Sequence, residues 1–315
     1  MAVSPDLMAL APWAVLAALV LLAWLSALGS PVLSFTAEIL ADARAMVFHR
    51  KFAQQVSKAG LLWLPAALLL TGLTAALWPS EASALATLLL ARPELSAPPA
   101  ATLLLFAVFS TLHAATWARL KASRGLHKLL GLLAAASGLA SAWLLLSLSR
   151  LLLAGLGSET AVPFAIQDHV LIPAASPFWP LLGLALTMAL VCAGGLGLAY
   201  ALMRRNRDDW GRDYYGFALR FGAAWTLLLL VTTAGFLGWL AAGHVLKGAL
   251  LPADPVLRAA AVTTGAALLL ALAGNLIVWR STAPLRQKPI ILASCLLLLL
   301  LLAGICLAGL RILSA

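Results

Sequence analysis

An all-α, polytopic membrane protein with eight transmembrane helices is the fold class that this sequence predicts. Hydrophobic residues make up 63% of the 315 residues and charged residues only 10%. The mean hydropathy of +1.02 lies far outside the usage of soluble domains. The hydrophobic residues also form continuous runs of about 20, the length of a membrane-crossing helix, and do not alternate as in a barrel strand.

The first hydrophobic run, at about residues 9–33, is predicted to be a retained helix and not a cleaved signal peptide. A signal peptide begins with cations and has a short apolar core. The flank here carries Asp6 and no Lys or Arg, and the run is too long.

Seven further spans are predicted at about residues 59–78, 99–118, 129–149, 177–203, 217–243, 256–279 and 289–312. The connections between them are too short for a soluble catalytic domain. We expect two four-helix bundles, one in residues 1–156 and one in residues 157–315, although no sequence repeat relates the two halves.

The distribution of cations predicts the orientation of the spans. Of the 21 Lys and Arg residues, 16 follow spans 1, 3, 5 and 7. The positive-inside rule therefore places these four connections in the cytoplasm and both termini outside. We expect a multi-pass protein of a bacterial cytoplasmic (inner) membrane, in contact with the lipid bilayer.

The sequence argues against two other kinds of site. The net charge of +10 does not indicate nucleic-acid binding, because the cations sit in separate loops and not on one face. The three cysteines, Cys192, Cys295 and Cys306, lie inside apolar runs without CxxC spacing, so neither a disulfide framework nor a metal site is predicted.

Ionisable residues inside a span are costly and mark functional sites by default. No Asp or Glu lies in the middle of a predicted span, which argues against a proton pump or an ion-coupled transporter. His113 lies near the inner end of span 3 and His127 opens span 4. They are either polar contacts at the membrane interface or axial ligands of a b-type haem.

On the outer side, Asp168 and His169 precede span 5, while His244 and Lys247 follow span 6. Such residues can accept the protons released when a quinol is oxidised, because imidazole titrates near neutral pH. The alternative is a solvated loop edge. His49, in the first basic connection, is expected to face solvent.

Four segments of the chain, taken in order, resemble subunit I of the cytochrome bd-type quinol oxidases. They read RKFAQQVSKAGLLWLPAALLLTGLT, FSTLHAATWARL, GLHKLLGLLAAASGLASAW and GLAYALMRRNRDDW, and the likeness covers roughly residues 1–220. The resemblance implies three haems, held by a histidine in span 1, a histidine in span 5 and a methionine in span 7.

This sequence departs from the pattern at each of those positions, because spans 1 and 5 contain no histidine and span 7 contains no methionine. The family's glutamate in span 3 is also missing, and its long quinol-binding loop after span 6 is reduced to GHVLKGALLPADP. We therefore do not expect the chain to reduce oxygen.

The resemblance favours a membrane anchor and quinol-binding subunit of a respiratory electron-transfer complex. If the chain is part of an enzyme, it is a quinol-oxidising oxidoreductase subunit that passes electrons to a partner such as a cytochrome c. Two alternatives stay open: a b-type haem subunit that uses His113 with His127, or His169 with His244, and a structural or assembly subunit without a cofactor.

Overall fold

The computed structural model describes residues 5–120, 123–156, 166–208, 210–245 and 252–314, and these residues are almost entirely helical. The long helices are α1 (Pro5–Ala43), α2 (Val47–Leu77), α3 (Pro79–Ala91), α4 (Pro93–Ala115), α5 (Arg124–Leu156), α6 (Phe178–Asp208), α7 (Arg212–Leu240), α8 (Pro255–Arg280) and α9 (Lys288–Ser314). Short 3₁₀ helices cover Ile166–His169 and Pro284–Arg286, and a π-helical turn, Ala241–Val245, continues α7.

Eight of these helices are long and apolar enough to cross a membrane, which confirms the predicted fold class and the number of spans. The additional helix, α3, has 13 residues and is too short to cross. It is bounded by Pro79 and Pro93, which lie in the first turns of α3 and α4. Proline is tolerated there but cannot continue a preceding helix.

The first helix is longer than the sequence analysis predicts. Hydropathy places its end at about residue 33, whereas α1 continues to Ala43. Leu33, Ala37 and Ala41 are all buried, so the helix keeps an apolar stripe at a spacing of four residues beyond that point. The extension carries the acidic residue Glu38 into the protein interior.

Helix α1 is central to the packing, since it contacts α2, α5, α6 and α9. Contacts also join α2 to α4 and α4 to α5, and they join α6, α7, α8 and α9 in sequence, with α6 against α9. Because α1 touches helices of both halves, the division into residues 1–156 and 157–315 stays a prediction.

The crossing of α1 and α6 is very close at Gly29. A Cβ atom at this position would lie 2.1 Å from the backbone oxygen of Ala189. Only glycine fits there without a shift of one helix against the other.

The first turn of α1 and the last turn of α9 lie at the same face of the bundle. Arg311 of α9 lies 3.6 Å from Asp6 of α1 and 2.8 Å from Asp254, which precedes α8. At the opposite end are the connections α1–α2, α4–α5, α6–α7 and α8–α9, and we call this end the basic face. The positive-inside rule assigns it to the cytoplasm.

Candidate functional site

Three ionisable side chains meet inside the helix bundle near the basic face. Glu38 comes from the extended part of α1, His113 from the last turn of α4 and His127 from the first turn of α5. Their exposed fractions are 5%, 1% and 2%, so all three are shielded from solvent and lipid. We call these residues the acid–histidine cluster.

The carboxylate of Glu38 lies between the two imidazoles. Its Oε1 is 2.8 Å from Nδ1 of His127, and its Oε2 is 3.2 Å from Nε2 of His113. The other ring nitrogen of His127, Nε2, is 3.2 Å from the backbone oxygen of His113. Both oxygens of the acid and three ring nitrogens are therefore involved in this arrangement.

Counting donors shows that the cluster holds a shared proton. The backbone oxygen of His113 only accepts, so Nε2 of His127 carries a hydrogen. The contact between Nδ1 of His127 and Glu38 then needs a further hydrogen, either on Nδ1, which makes an imidazolium, or on the carboxyl group. In both forms the proton lies on the 2.8 Å contact and the cluster is neutral overall.

Two neighbouring residues shape the cluster. The indole of Trp117 covers His127, with ring centroids 4.3 Å apart. On α5, a Cβ atom at Gly131 would lie 3.1 Å from Nε2 of His113, so the missing side chain leaves room for this imidazole. The ring positions are thus fixed by packing as well as by hydrogen bonds.

A small pocket connects Glu38 with the basic face. Its lining residues are Glu38, Ala41, Asp42, Arg50, Arg124 and Lys128, and its volume is about 10 Å³, room for one water molecule. Lys128 forms an ion pair with Asp42 at the pocket. The pocket has room for one water molecule beside the acid and is too small for a quinone ring.

The sequence analysis named His113 and His127 as alternative haem ligands. Their rings lie 4.6 Å apart between centroids, and both direct a nitrogen at the same carboxylate. A haem ligated by both residues would have to place its macrocycle between rings that are already in contact. The cluster therefore does not fit a haem held by this pair.

The predicted quinol site is only partly described. His169 is buried, with Nδ1 3.2 Å from the hydroxyl of Ser147, and burial lowers the pKa of its imidazole. Asp168 adjoins it in the 3₁₀ helix, and its backbone oxygen accepts a hydrogen bond from Arg150. His244 lies in the π-helical turn after α7, while Lys247 lies outside the described residues. The grouping of the four residues stays a prediction.

Two residues, Glu38 and His49, are more buried than the sequence analysis predicts. Glu38 lies beyond the predicted end of the first span at about residue 33, and it is buried within α1. The spacing of Leu33, Ala37 and Ala41 was a signal in the sequence that the helix continues past it. His49 was expected to face solvent, but it is 1% exposed and lies between aromatic rings of α7 at 4.9 Å.

Comparison with known proteins identifies the fold. No protein-family model matches the chain, and no curated protein matches it. Among solved structures, it is similar to a chain of the bd oxidase from Geobacillus thermodenitrificans, with a TM-score of 0.68 and 12% sequence identity, over 96% of this chain and 87% of that chain. At this identity the likeness establishes a bd-oxidase-like fold and does not distinguish subunit I from other subunits.

Proposed function

We propose that the chain is a membrane subunit of a respiratory electron-transfer complex, in which the acid–histidine cluster exchanges protons with the basic face. The burial of Glu38, His113 and His127 together carries this proposal. Ionisable groups at membrane depth are expensive and are retained chiefly where they work. The bd-oxidase-like fold supports the respiratory setting.

The cluster has the properties of a proton-exchange group. Its shared proton lies on a short contact between Glu38 and His127, and imidazole changes its charge near neutral pH. The pocket beside Glu38 has room for one water molecule next to charged residues of the basic face. A proton taken from this side can pass from water to the carboxylate and then to an imidazole.

We further propose that quinol is oxidised near the opposite face, with Asp168, His169, His244 and Lys247 as the groups that bind it and accept its protons. His169 supports this assignment, because burial lowers its pKa and so favours the neutral imidazole, which can hydrogen-bond a quinol hydroxyl. The electrons would pass to a partner, such as a cytochrome c. Protons would then leave at one face while the cluster takes them up at the other.

Turnover in native membranes tests the role of the cluster. Glu38→Gln keeps the size of the side chain and removes the carboxylate, and we expect quinol-dependent electron transfer to fall about 100-fold, as for loss of an acid–base group. The control is Asp213→Asn, at an exposed acid in the first turn of α7 outside the pocket, and its turnover should stay within about twofold of the wild type. Unchanged turnover and pH profile in Glu38→Gln would refute proton exchange by the cluster.

A second experiment tests the quinol site. The double variant His244→Ala with Lys247→Ala should lower quinol turnover, and solvent extraction of the purified wild-type complex should recover quinone. Absence of quinone together with unchanged turnover would reject this part and favour a structural subunit. A Soret absorption band in the purified chain would instead favour the alternative of a b-type haem subunit.

A further inference from the structure

We propose that Glu38, His113 and His127 form a binding site for one divalent transition-metal ion, which takes the place of the proton that the cluster shares. The inference concerns the ligand chemistry of these three side chains. It does not depend on a respiratory role, since the site would bind the ion in any complex that contains this chain.

The donor set is the first argument. Two imidazole nitrogens and a carboxylate oxygen suit Zn²⁺ and neighbouring first-row ions, whereas Ca²⁺ and Mg²⁺ prefer oxygen ligands alone. Each of the three residues offers one ligand atom, and these atoms lie within 4.8 Å of one another. They come from three different helices, so the fold itself brings them together.

The distances are the second argument. With metal–ligand bonds of about 2.0–2.2 Å, neighbouring ligand atoms in a tetrahedral or octahedral site lie roughly 3–3.5 Å apart. The two contacts of Glu38 measure 2.8 Å to His127 and 3.2 Å to His113. These contacts are made by two different oxygens of the carboxylate, and one ligand atom from each residue lies within 4.8 Å of the others. Binding of the ion therefore requires side-chain rotations that bring the ligand atoms closer by up to about 1.5 Å.

The third argument is the support around the ligand atoms. Metal-bound histidines usually donate their other ring N–H to a carbonyl or carboxylate, which fixes the tautomer. His127 already does this, because its Nε2 faces the backbone oxygen of His113 at 3.2 Å and so directs Nδ1 at the site. Gly131 leaves space for the second imidazole, and Trp117 covers the first.

The exchange of a proton for the ion balances in charge and hydrogen. Without metal, the cluster holds three hydrogens, one on Nε2 of His127, one on Nε2 of His113 and one shared between Nδ1 of His127 and Glu38, and it is neutral. With the ion bound, His113 carries its hydrogen on Nδ1, His127 carries one on Nε2, and one proton has left. The net charge of the cluster rises from zero to +1.

The charges at the pocket predict slow entry of the ion. The pocket is lined by three cations, which are Arg50 of α2 and Arg124 and Lys128 of α5. Its acidic lining residues are Asp42 and Glu38 of α1. A cation approaching from the basic face meets this positive potential. We therefore expect binding and release over minutes or longer, and equilibrium measurements need long incubation.

Metal binding by the purified full-length chain tests the proposal. After removal of metals with a chelator, the protein is dialysed to equilibrium against buffered micromolar Zn²⁺ and its metal content is measured by mass spectrometry. We expect one Zn²⁺ per chain, about one proton released per ion by calorimetry in buffers of different ionisation enthalpy, and no displacement by excess Ca²⁺.

Variants connect the binding to the three ligands. Glu38→Gln and His127→Ala should bind less than one tenth of an equivalent. The control Asp213→Asn changes an exposed acid in the first turn of α7, outside the pocket, and should bind as the wild type does. Far-ultraviolet circular dichroism and the elution volume of each variant show whether it is folded. Two results would overturn the site: a folded wild type that binds no Zn²⁺, or Glu38→Gln with undiminished stoichiometry. Neither result bears on quinol turnover.

Discussion

Replacement of Glu38 measures how much the acid–histidine cluster contributes to the stability of the fold. In Glu38→Leu the two imidazoles lose the acceptor that they share at 2.8 and 3.2 Å. A buried polar group left without a partner costs about 1–3 kcal/mol. The full cost for two unpaired imidazoles is not reached, because the shared proton can leave His127. We therefore expect Glu38→Leu to destabilise the fold by about 2–3 kcal/mol.

Glu38→Gln should cost much less. Its amide oxygen can accept from His113, and its NH₂ group can donate to the neutral Nδ1 of His127, so both hydrogen bonds re-form without charge. The difference between charged and neutral hydrogen bonds predicts a loss of about 0.5–1.5 kcal/mol. Asp42→Asn, which breaks a partly exposed ion pair, should change stability by about 0.5 kcal/mol or less.

The assay is equilibrium unfolding in mixed detergent, followed by tryptophan fluorescence and circular dichroism. The free energy of unfolding should decrease in the order wild type, Asp42→Asn, Glu38→Gln, Glu38→Leu. The largest decrease should separate Glu38→Gln from Glu38→Leu. Equal stability of Glu38→Leu and Asp42→Asn would refute the reasoning. Such a result would mean that the imidazoles find other partners or that the cluster does not form.

The remaining predictions use single substitutions with internal comparisons. Gly29→Ala should destabilise the chain by about 1–3 kcal/mol through overpacking of α1 against α6, whereas Gly72→Ala, with no atom within 4 Å of its new Cβ, should be neutral or stabilising in the same unfolding assay. Gly131→Ala would press a methyl group against an imidazole of the cluster, so Zn²⁺ affinity measured by equilibrium dialysis should fall at least tenfold while circular dichroism shows a folded protein. The pKa of Asp254 is lowered by the backbone N–H of Leu257 and by Arg311, so this carboxylate stabilises the fold above the usual carboxyl pKa of about 4. Asp254→Asn should lower Tm at pH 7, and the difference from wild type should shrink as the pH falls below 4.

The number of transmembrane helices could be predicted because each of them is specified by its own residues. Hydrocarbon requires a continuous apolar run of sufficient length, and such a run is visible without any tertiary contact. Helix ends are less visible, as α1 shows. Its last turns contain Glu38 and Asp42, which lower the local hydropathy although the backbone remains helical to Ala43.

The cluster could be predicted only in part. His113 and His127 stood out because polar residues are rare in this chain, but their common partner lies 75 and 89 residues away in sequence. Spacing along one helix reveals which residues share a face, whereas contacts between helices depend on how the helices pack. The sequence therefore indicated two of the three side chains and left out the acid that joins them.

The energetics of the cluster also argue for a functional reason to retain it. A buried ion pair is often no more stable than well-packed apolar residues of similar volume, although removal of one member is costly. Most buried hydrophobic residues elsewhere in the described helices are alanine and leucine, and such residues could fill this space. Replacement of Glu38, His113 and His127 together by apolar residues should thus restore much of the stability lost in Glu38→Leu while metal binding and proton exchange are abolished. This triple variant would then be stable but unable to bind metal or exchange protons. A triple variant less stable than Glu38→Leu would instead show that the cluster is retained for the fold.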